Sequence, residues 1–414
     1  MTEPTYHLSE IPGFNDAIHG TVDANLEKFY SIRSYTTKEN INYTIVGYNK
    51  ELLFSSTVPT YGLLRSVIVS ADSKVVCFSP PKSLSADTFI SQYPSKVDNI
   101  VAEEFVEGTM INVFYDYSCG INGCWQISTR NTVGANVSFY KDSDKTFNKM
   151  FLEACTEHNF NFSTLNPLYC YSFVLQHPSN RIVIPIKKPQ LYLVEVYQIV
   201  YESKTDTYDV IQQDLDIVKT AGLWHLAKIQ FPKQYEFNNY SELVDQFASP
   251  NTPYDVMGVV IKNKKTGERT KIRNPIYEEV RFLRGNQTKL QYQYLCLRHS
   301  GKVPEFIKYY PETKDQLSKY RDQIHMFTKT LHQNYIDCYV KKEKPLRDFP
   351  DQYRTHMFKL HEKFLNHLRP TNLFVTNTVV IKYVNELSPS LLMYSLNHNL
   401  RKRMIDTIKS EAII

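Results

Sequence analysis

Glu103-Glu104-Phe105-Val106-Glu107-Gly108-Thr109-Met110-Ile111 is the stretch on which the reading of this chain turns. Two carboxylates, an aromatic residue and a Glu-Gly-Thr corner lead into Met110 to Tyr115, whose β-branched and aromatic content suits a half-buried strand. A glycine ahead of a strand marks a sharp turn or a close approach of backbone. Taken alone, the corner also fits a simple bulge before a strand.

Outward from that corner, the apolar pattern stays strand-like up to about residue 284. Asn42 to Tyr48, Leu63 to Ser70, Lys74 to Phe78, Trp125 to Thr129, Tyr169 to Gln176, Leu191 to Val200 and Val256 to Lys262 are short, apolar and bounded by turn residues. Phe147, Met150, Phe151, Ala154 and Cys155 recur at helical spacing and predict an amphipathic helix, and Ser241 to Phe247, opened by a cap-like serine, predicts a second. From Pro275 the texture changes. Tyr277 to Leu297, Pro311 to Val340 and Gln352 to Leu368 read as long helices with proline at their ends. The expected fold class is therefore α+β, with an antiparallel-sheet domain over 1–284 and an all-helical domain over 285–414.

Composition narrows the chemistry. The 414 residues include only 13 glycines, about half of average usage. None stands in G-x-x-x-x-G-K-[ST] or G-x-G-x-x-G order, which excludes a Walker loop and a Rossmann turn. The net charge of +5 is unevenly placed: residues 289–414 hold 21 Lys and Arg against 12 Asp and Glu, and Lys262 to Arg284 holds 8 against 3. Positive charge gathered late in a chain is expected where a polyanion is held, or it is a solvated surface. The seven cysteines form no C-x-x-C pair, so a zinc ribbon or thioredoxin motif has no support. Cys119 to Cys124 is expected to close a hairpin through its Asn-Gly turn. Met1 to Gly20 lacks the apolar core of a signal peptide, and no apolar run approaches the ~20 residues of a membrane span. A reduced, intracellular location is the expectation.

The Glu-Gly-Thr corner is also one member of a series. Pro80-Pro81-Lys82-Ser83 precedes it and Ser128-Thr129-Arg130-Asn131-Thr132 follows, each at about 20 residues. Farther on come Tyr171-Ser172-Phe173-Val174, then His177 to Val183, Met257-Gly258-Val259-Val260-Ile261-Lys262 and Lys271-Ile272-Arg273. In this order and spacing the chain resembles the phage-type ATP-dependent RNA ligase family, within the covalent nucleotidyltransferase superfamily, over roughly residues 40–285 and more loosely over the helical tail. It also resembles RNA ligase-like proteins of giant DNA viruses, through Glu107 to Phe114 and Tyr383-Val384-Asn385.

The resemblance implies a definite chemistry. In the family a lysine attacks the α-phosphate of ATP to form a lysyl-AMP, the AMP passes to a 5′-phosphate RNA end, and a 3′-hydroxyl displaces it. Neighbouring cations or desolvation free the lysine of its proton, and Arg, Lys and Mg²⁺ hold the phosphate charge. The resemblance assigns Arg65 to the arginine ahead of the nucleophile, Lys82 to a phosphate-contacting lysine and Glu107 to the acidic residue of the nucleophile motif. It assigns Arg130 to the basic residue of a later turn, and Lys271 and Arg273 to a final pair on the α-phosphate and pyrophosphate. Those two residues, two apart on a strand, share one face.

The departures are as definite. The nucleophile position holds Phe105, which has no nucleophilic atom, while Ser172 and Met257 stand where the family has carboxylates. ATP and Mg²⁺ as cofactors, and RNA and nucleotide as partners, follow from the resemblance only; the residues name no metal ligand. Three functions follow: a nucleotide- or RNA-binding protein of a viral system with a degenerate active site; an active ATP-dependent RNA ligase or nucleotidyltransferase with a relocated lysine, Lys82 or Lys271; or a structural virion protein. The implied places of action are the host cytoplasm, a viral factory or the virion.

The tail adds little chemistry. Its seven histidines include no H-E-x-x-H, and His356 and His361 stand five apart, off the helical spacing of a zinc pair. Tyr309, Tyr310, Tyr320, Tyr335, Tyr339 and Tyr353 stand among Lys and Arg, an interleaving suited to base stacking and equally to helix packing.

Overall fold

A computed structural model of the chain describes residues 3–140 and 144–401, apart from the side chain of His225. Part of the late positive charge, at 402–414, lies outside the described residues. The described chain divides into two compact units, Met1–Phe282 and Leu283–Ile414. None of its helices is long and apolar enough to cross a membrane.

The first unit is built on strands. In chain order these are β1 (Thr5–His7), β2 (Tyr30–Thr36), β3 (Asn42–Tyr48), β4 (Val67–Ser70), β5 (Val75–Phe78), β6 (Ile100–Glu104) and β7 (Thr109–Asp116). There follow β8 (Cys124–Ser128), β9 (Tyr169–Gln176), β10 (Gln190–Glu202), β11 (Thr207–Gln212), β12 (Gln234–Tyr235), β13 (Gly258–Asn263) and β14 (Arg269–Arg273). They form a six-stranded sheet ordered β1-β11-β10-β9-β7-β8 and two four-stranded sheets, β12-β6-β13-β14 and β2-β3-β4-β5. Neighbouring strands pair antiparallel throughout.

Side-chain alternation explains the layering. On one face of the six-stranded sheet Phe114, Cys170 and Tyr197 pack toward Val46, Val67 and Ile68 of the β2–β5 sheet. On the other, Ile111, Val113 and Phe173 pack toward Met150, Phe151 and Ala154 of the helix Phe147–Glu157, the predicted amphipathic one. A third core joins Ala102, Val259 and Ile261 to Phe89 and Leu243. The second unit is helical, with Leu295, Phe306, Leu317, Ile324, Leu331 and Leu360 buried.

Several expectations shift. The strand expected from Leu63 starts at Val67, after a short 3₁₀ turn at Tyr61–Leu63, so Arg65 sits on irregular backbone rather than in a strand. The helix expected from Ser241 starts at Tyr240 and is capped by Asn239, whose side chain accepts from the Glu242 N–H. The helix expected over Tyr277 to Leu297 is two, Pro275–Arg284 and Leu290–His299, with left-handed Gly285 after the first. Pro311 to Val340 becomes a 3₁₀ turn, the helix Lys314–Tyr335 and a π-helical turn at Ile336–Val340. The expected β7–β8 hairpin is present, and a Cys119–Cys124 disulfide closes it, which a reduced location does not anticipate.

Candidate functional site

The segment 105–108 crosses from β6 in a four-stranded sheet to β7 in the six-stranded one. Gly108 makes the crossing with φ 155°, and a Cβ there would fall 2.5 Å from the Leu175 carbonyl oxygen. Gly258 answers it at the start of β13, with φ 128° and a Cβ that would lie 2.1 Å from the Ile272 oxygen. Between the two sheets these close approaches frame a cavity of about 290 Å³, near the lower edge of the ~300–1,000 Å³ usual for ligand sites.

One wall is basic, because β14 alternates. Arg269, Lys271 and Arg273 line the cavity while Thr270 and Ile272 are buried. Arg65 joins them from the backbone ahead of β4. Lys271 Nζ lies 4.8 Å from the centroid of the Phe105 ring and the Arg273 guanidinium 5.2 Å from it. Arg273 also reaches Glu278 at 2.7 Å. Arg269 donates to the Pro81 carbonyl at 2.9 Å and stands 3.6 Å from Glu195, with its Nε buried and unpartnered among the described residues. Neither Arg65 nor Lys271 has an ion-pair partner among the described residues. Burial, then the charges of Arg269, Arg65, Arg273 and Lys82, push the Lys271 amine down to about 6. Burial and then Arg269 push the Arg65 guanidinium down to about 10. Cations taken from water without a counter-charge are costly. The wall is suited to completion by an anion.

The acidic residues of the cavity, two of which neighbour the basic ones across β6, β13 and β14, are committed. Lys262 Nζ bonds Glu103 at 2.7 Å and Glu195 at 2.8 Å, with 12%, 10% and 3% of the three side chains exposed. Burial opposes charge on Lys262, but the two carboxylates outweigh it and hold the amine protonated. Glu195 also accepts from Gln212 at 2.7 Å. Glu107 is buried and accepts the N–H groups of Val183 and Ile184, each at 3.0 Å at its shorter distance. Tyr277, whose hydroxyl is pushed up by burial and then by Glu107, lies against it. Among the described residues no group of three His, Cys, Asp or Glu is arranged to hold a metal ion. Since Lys262 and backbone amides already occupy these carboxylates, the cavity residues do not fit a resident Mg²⁺.

The cavity thus gathers Arg65, Phe105, Glu107, Lys271 and Arg273, with Met257 on its lining. It leaves two of the implied residues outside. Lys82 is exposed beside a neighbouring groove, its amine pushed down by burial and then by Arg65, and it donates to the carbonyl of its neighbour Ser83 at 3.5 Å. Arg130 is exposed, 5.3 Å over the Tyr48 ring. Ser172 is buried away from the cavity and donates to Asn112 at 2.8 Å. Its register partner across β9 and β10, Glu195, reaches the cavity instead. Sequence reasoning missed Glu195, Glu103, Lys262 and Arg269 as a set. Two signals were available: Glu195 is a lone acid in the apolar run Leu191 to Val200, and Arg269 extends the Lys271–Arg273 alternation by one step.

No family model matches the sequence. The chain is 23% identical over 291 residues to an RNA ligase of Rhodothermus phage RM378, a match covering 63% of this chain and 64% of that protein. It is 24% identical over 313 residues to an immediate-early protein ICP-46 homologue of Invertebrate iridescent virus 6, covering 70% and 65%. Each match spans just under two thirds of the relative's own length. Among solved structures it is similar to an archaeal ATP-dependent RNA ligase, at 11% identity and a TM-score of 0.39 over 72% of this chain and 74% of that one. A Naegleria gruberi RNA ligase with PPi gives 11% and a TM-score of 0.32 over 61% and 98%. On its two sequence matches, this α+β chain is similar to viral proteins, one of them an RNA ligase.

Proposed function

We propose that the chain binds a phosphate-bearing ligand, a nucleotide such as ATP or the 5′-phosphate end of an RNA, in the cavity between its sheets, and that adenylylation at position 105 is lost. One observation carries this reading: Arg65 shares a desolvated cavity with Lys271, Arg269 and Arg273 and has no anionic partner of its own among the described residues. Phosphate answers that need with charge and several acceptors, in the fork geometry guanidinium groups favour. Phe105 presents a ring where the chemistry of an RNA ligase needs an amine, so no phosphorus–nitrogen bond forms there. Similarity to RNA ligases favours RNA over other polyanions. In this reading residues 1–284 form the nucleotidyltransferase-like domain, the helical domain 285–414 contributes further RNA contacts, and the protein acts within an infected cell.

Fluorescence anisotropy tests the reading with one single-stranded RNA carrying either a 5′-phosphate or a 5′-hydroxyl, each titrated at several salt concentrations. Tighter binding of the phosphorylated end is expected, weakening with salt by a log–log slope of about −0.7 per phosphate engaged. Arg65→Ala and Arg269→Ala should erase the preference for the phosphorylated end. Equal affinity for both ends, with no competition from free ATP, would overturn it.

A further inference from the structure

Lys271 differs from the guanidinium groups around it in one respect: it can give up its proton. The face of Phe105 covers one side of Nζ, and like charge surrounds it, from Arg65 and Lys82 on two other segments and from Arg269 and Arg273 on its own strand. An ammonium ion is disfavoured there, and near neutral pH the nitrogen carries a free electron pair. Holding an anion would be better served by a charge that persists, so anion binding alone does not account for an amine in this place. A free amine beside fixed cations is the arrangement that lets a lysine attack a negatively charged electrophile.

We propose that Lys271 is a nucleophile that accepts, covalently, the α-phosphoryl group of a nucleoside triphosphate bound in the cavity. The inference rests on the reading that this cavity takes nucleotide phosphates. The electron pair of Nζ forms a bond to the α-phosphorus, and the bond from that phosphorus to the bridging oxygen breaks. Its electron pair leaves with pyrophosphate, and the surplus proton on nitrogen passes to water. Arg65, Arg269 and Arg273 stabilise the charge on the phosphoryl oxygens. Phe105 is a positioning residue in this scheme, since its ring keeps the amine desolvated. Lys82, by contrast, lies outside the cavity and is exposed.

The test is to incubate the full chain with α-phosphate-labelled ATP, and separately GTP, in buffer containing Mg²⁺, then denature it and measure label on the protein. Expected is label that survives denaturation and is released by acid but not by alkali, as a phosphorus–nitrogen bond requires. It should vanish in Lys271→Arg and persist in Lys82→Arg. In Phe105→Ala the pH profile of labelling should move to higher pH, which a merely structural role for the ring would not cause. Peptide mapping of the labelled wild-type chain assigns the residue even where a variant fails to fold. Absence of label, or label mapping elsewhere, overturns the proposal. Equilibrium binding of ATP to the wild-type chain is measured in parallel. Binding without label sinks the nucleophile and leaves the proposed function standing; absence of both ATP and RNA binding sinks the two together.

Discussion

At the scale of single residues, the Lys271 amine titrates near 6 where an ordinary lysine titrates at 10.5. Between those values the unfolded chain binds a proton that the folded chain does not, so stability rises as pH climbs from about 6 to 10.5 and is flat below. Lys271→Met should remove that slope in urea denaturation followed across pH. At neutral pH it should leave the protein more stable, because the folded wild type must hold the buried amine without its proton there and methionine carries no such cost. Anion binding has the opposite sense. Sulfate does not titrate in this range, and its affinity should rise as pH falls through about 6 in the wild-type chain, as Lys271 gains charge, but not in Lys271→Met; isothermal titration calorimetry checks both. The pairing of Lys271 with Arg273 was legible because strand alternation is local, and Phe105 was legible because a ring cannot be a nucleophile. Glu195 was not, since Lys262 lies 67 residues away in sequence and only the fold brings the two together.

At the scale of elements, the β6–β7 crossing is fixed by a carboxylate and a glycine. Glu107 holds the strap at 183–184 with two charge-assisted hydrogen bonds, and Gln176 donates to the Glu107 carbonyl at 2.8 Å. Glu107→Gln keeps the shape but turns one accepting oxygen into a donating NH2 and leaves both N–H groups to a single uncharged oxygen, so a loss of about 1.5–3 kcal/mol is expected by denaturant titration. If the loss is instead within error while nucleotide binding collapses, Glu107 belongs to the ligand rather than to the crossing. The acid of this motif was legible in sequence, but its structural job was not, because its partners are backbone amides that sequence does not encode. Strands such as β9 and β10 were readable from apolar runs broken only by single polar residues such as Ser172 and Glu195. By contrast, β2 and β6 were missed, since Arg33 and Ser34 interrupt the first and Glu103 and Glu104 end the second. Register with a neighbouring strand makes those polar residues tolerable.

At the scale of the whole molecule, each unit encloses a polar knot that apolar packing alone would not require. In the first unit it is Glu103, Lys262 and Glu195, which ties β6 and β13 of one sheet to β10 of another. Lys262→Met strands two buried carboxylates and should cost about 3–5 kcal/mol. In the second unit the knot is His356, buried at 4% exposure between Tyr383 and Ser395, each at 2.8 Å. Ser395 donates its own proton to the Leu391 carbonyl at 2.9 Å, so the His356 Nε2–H must donate to Ser395 while Nδ1 accepts from Tyr383. Both ring nitrogens are then satisfied only by the neutral imidazole. Burial, and then the charge of Lys359, push His356 down to about 4 from 6.5. The unfolded chain therefore binds a proton between 6.5 and 4 that the folded unit excludes. The stability this residue contributes is complete above about 6.5 and is lost as pH falls toward 4. Histidine-resolved NMR of the full chain should show the His356 ring still neutral at pH 5. Thermal melts should show the wild type losing more stability than His356→Gln over that interval. A His356 ring that titrates near 6.5 would mean the knot is open in solution.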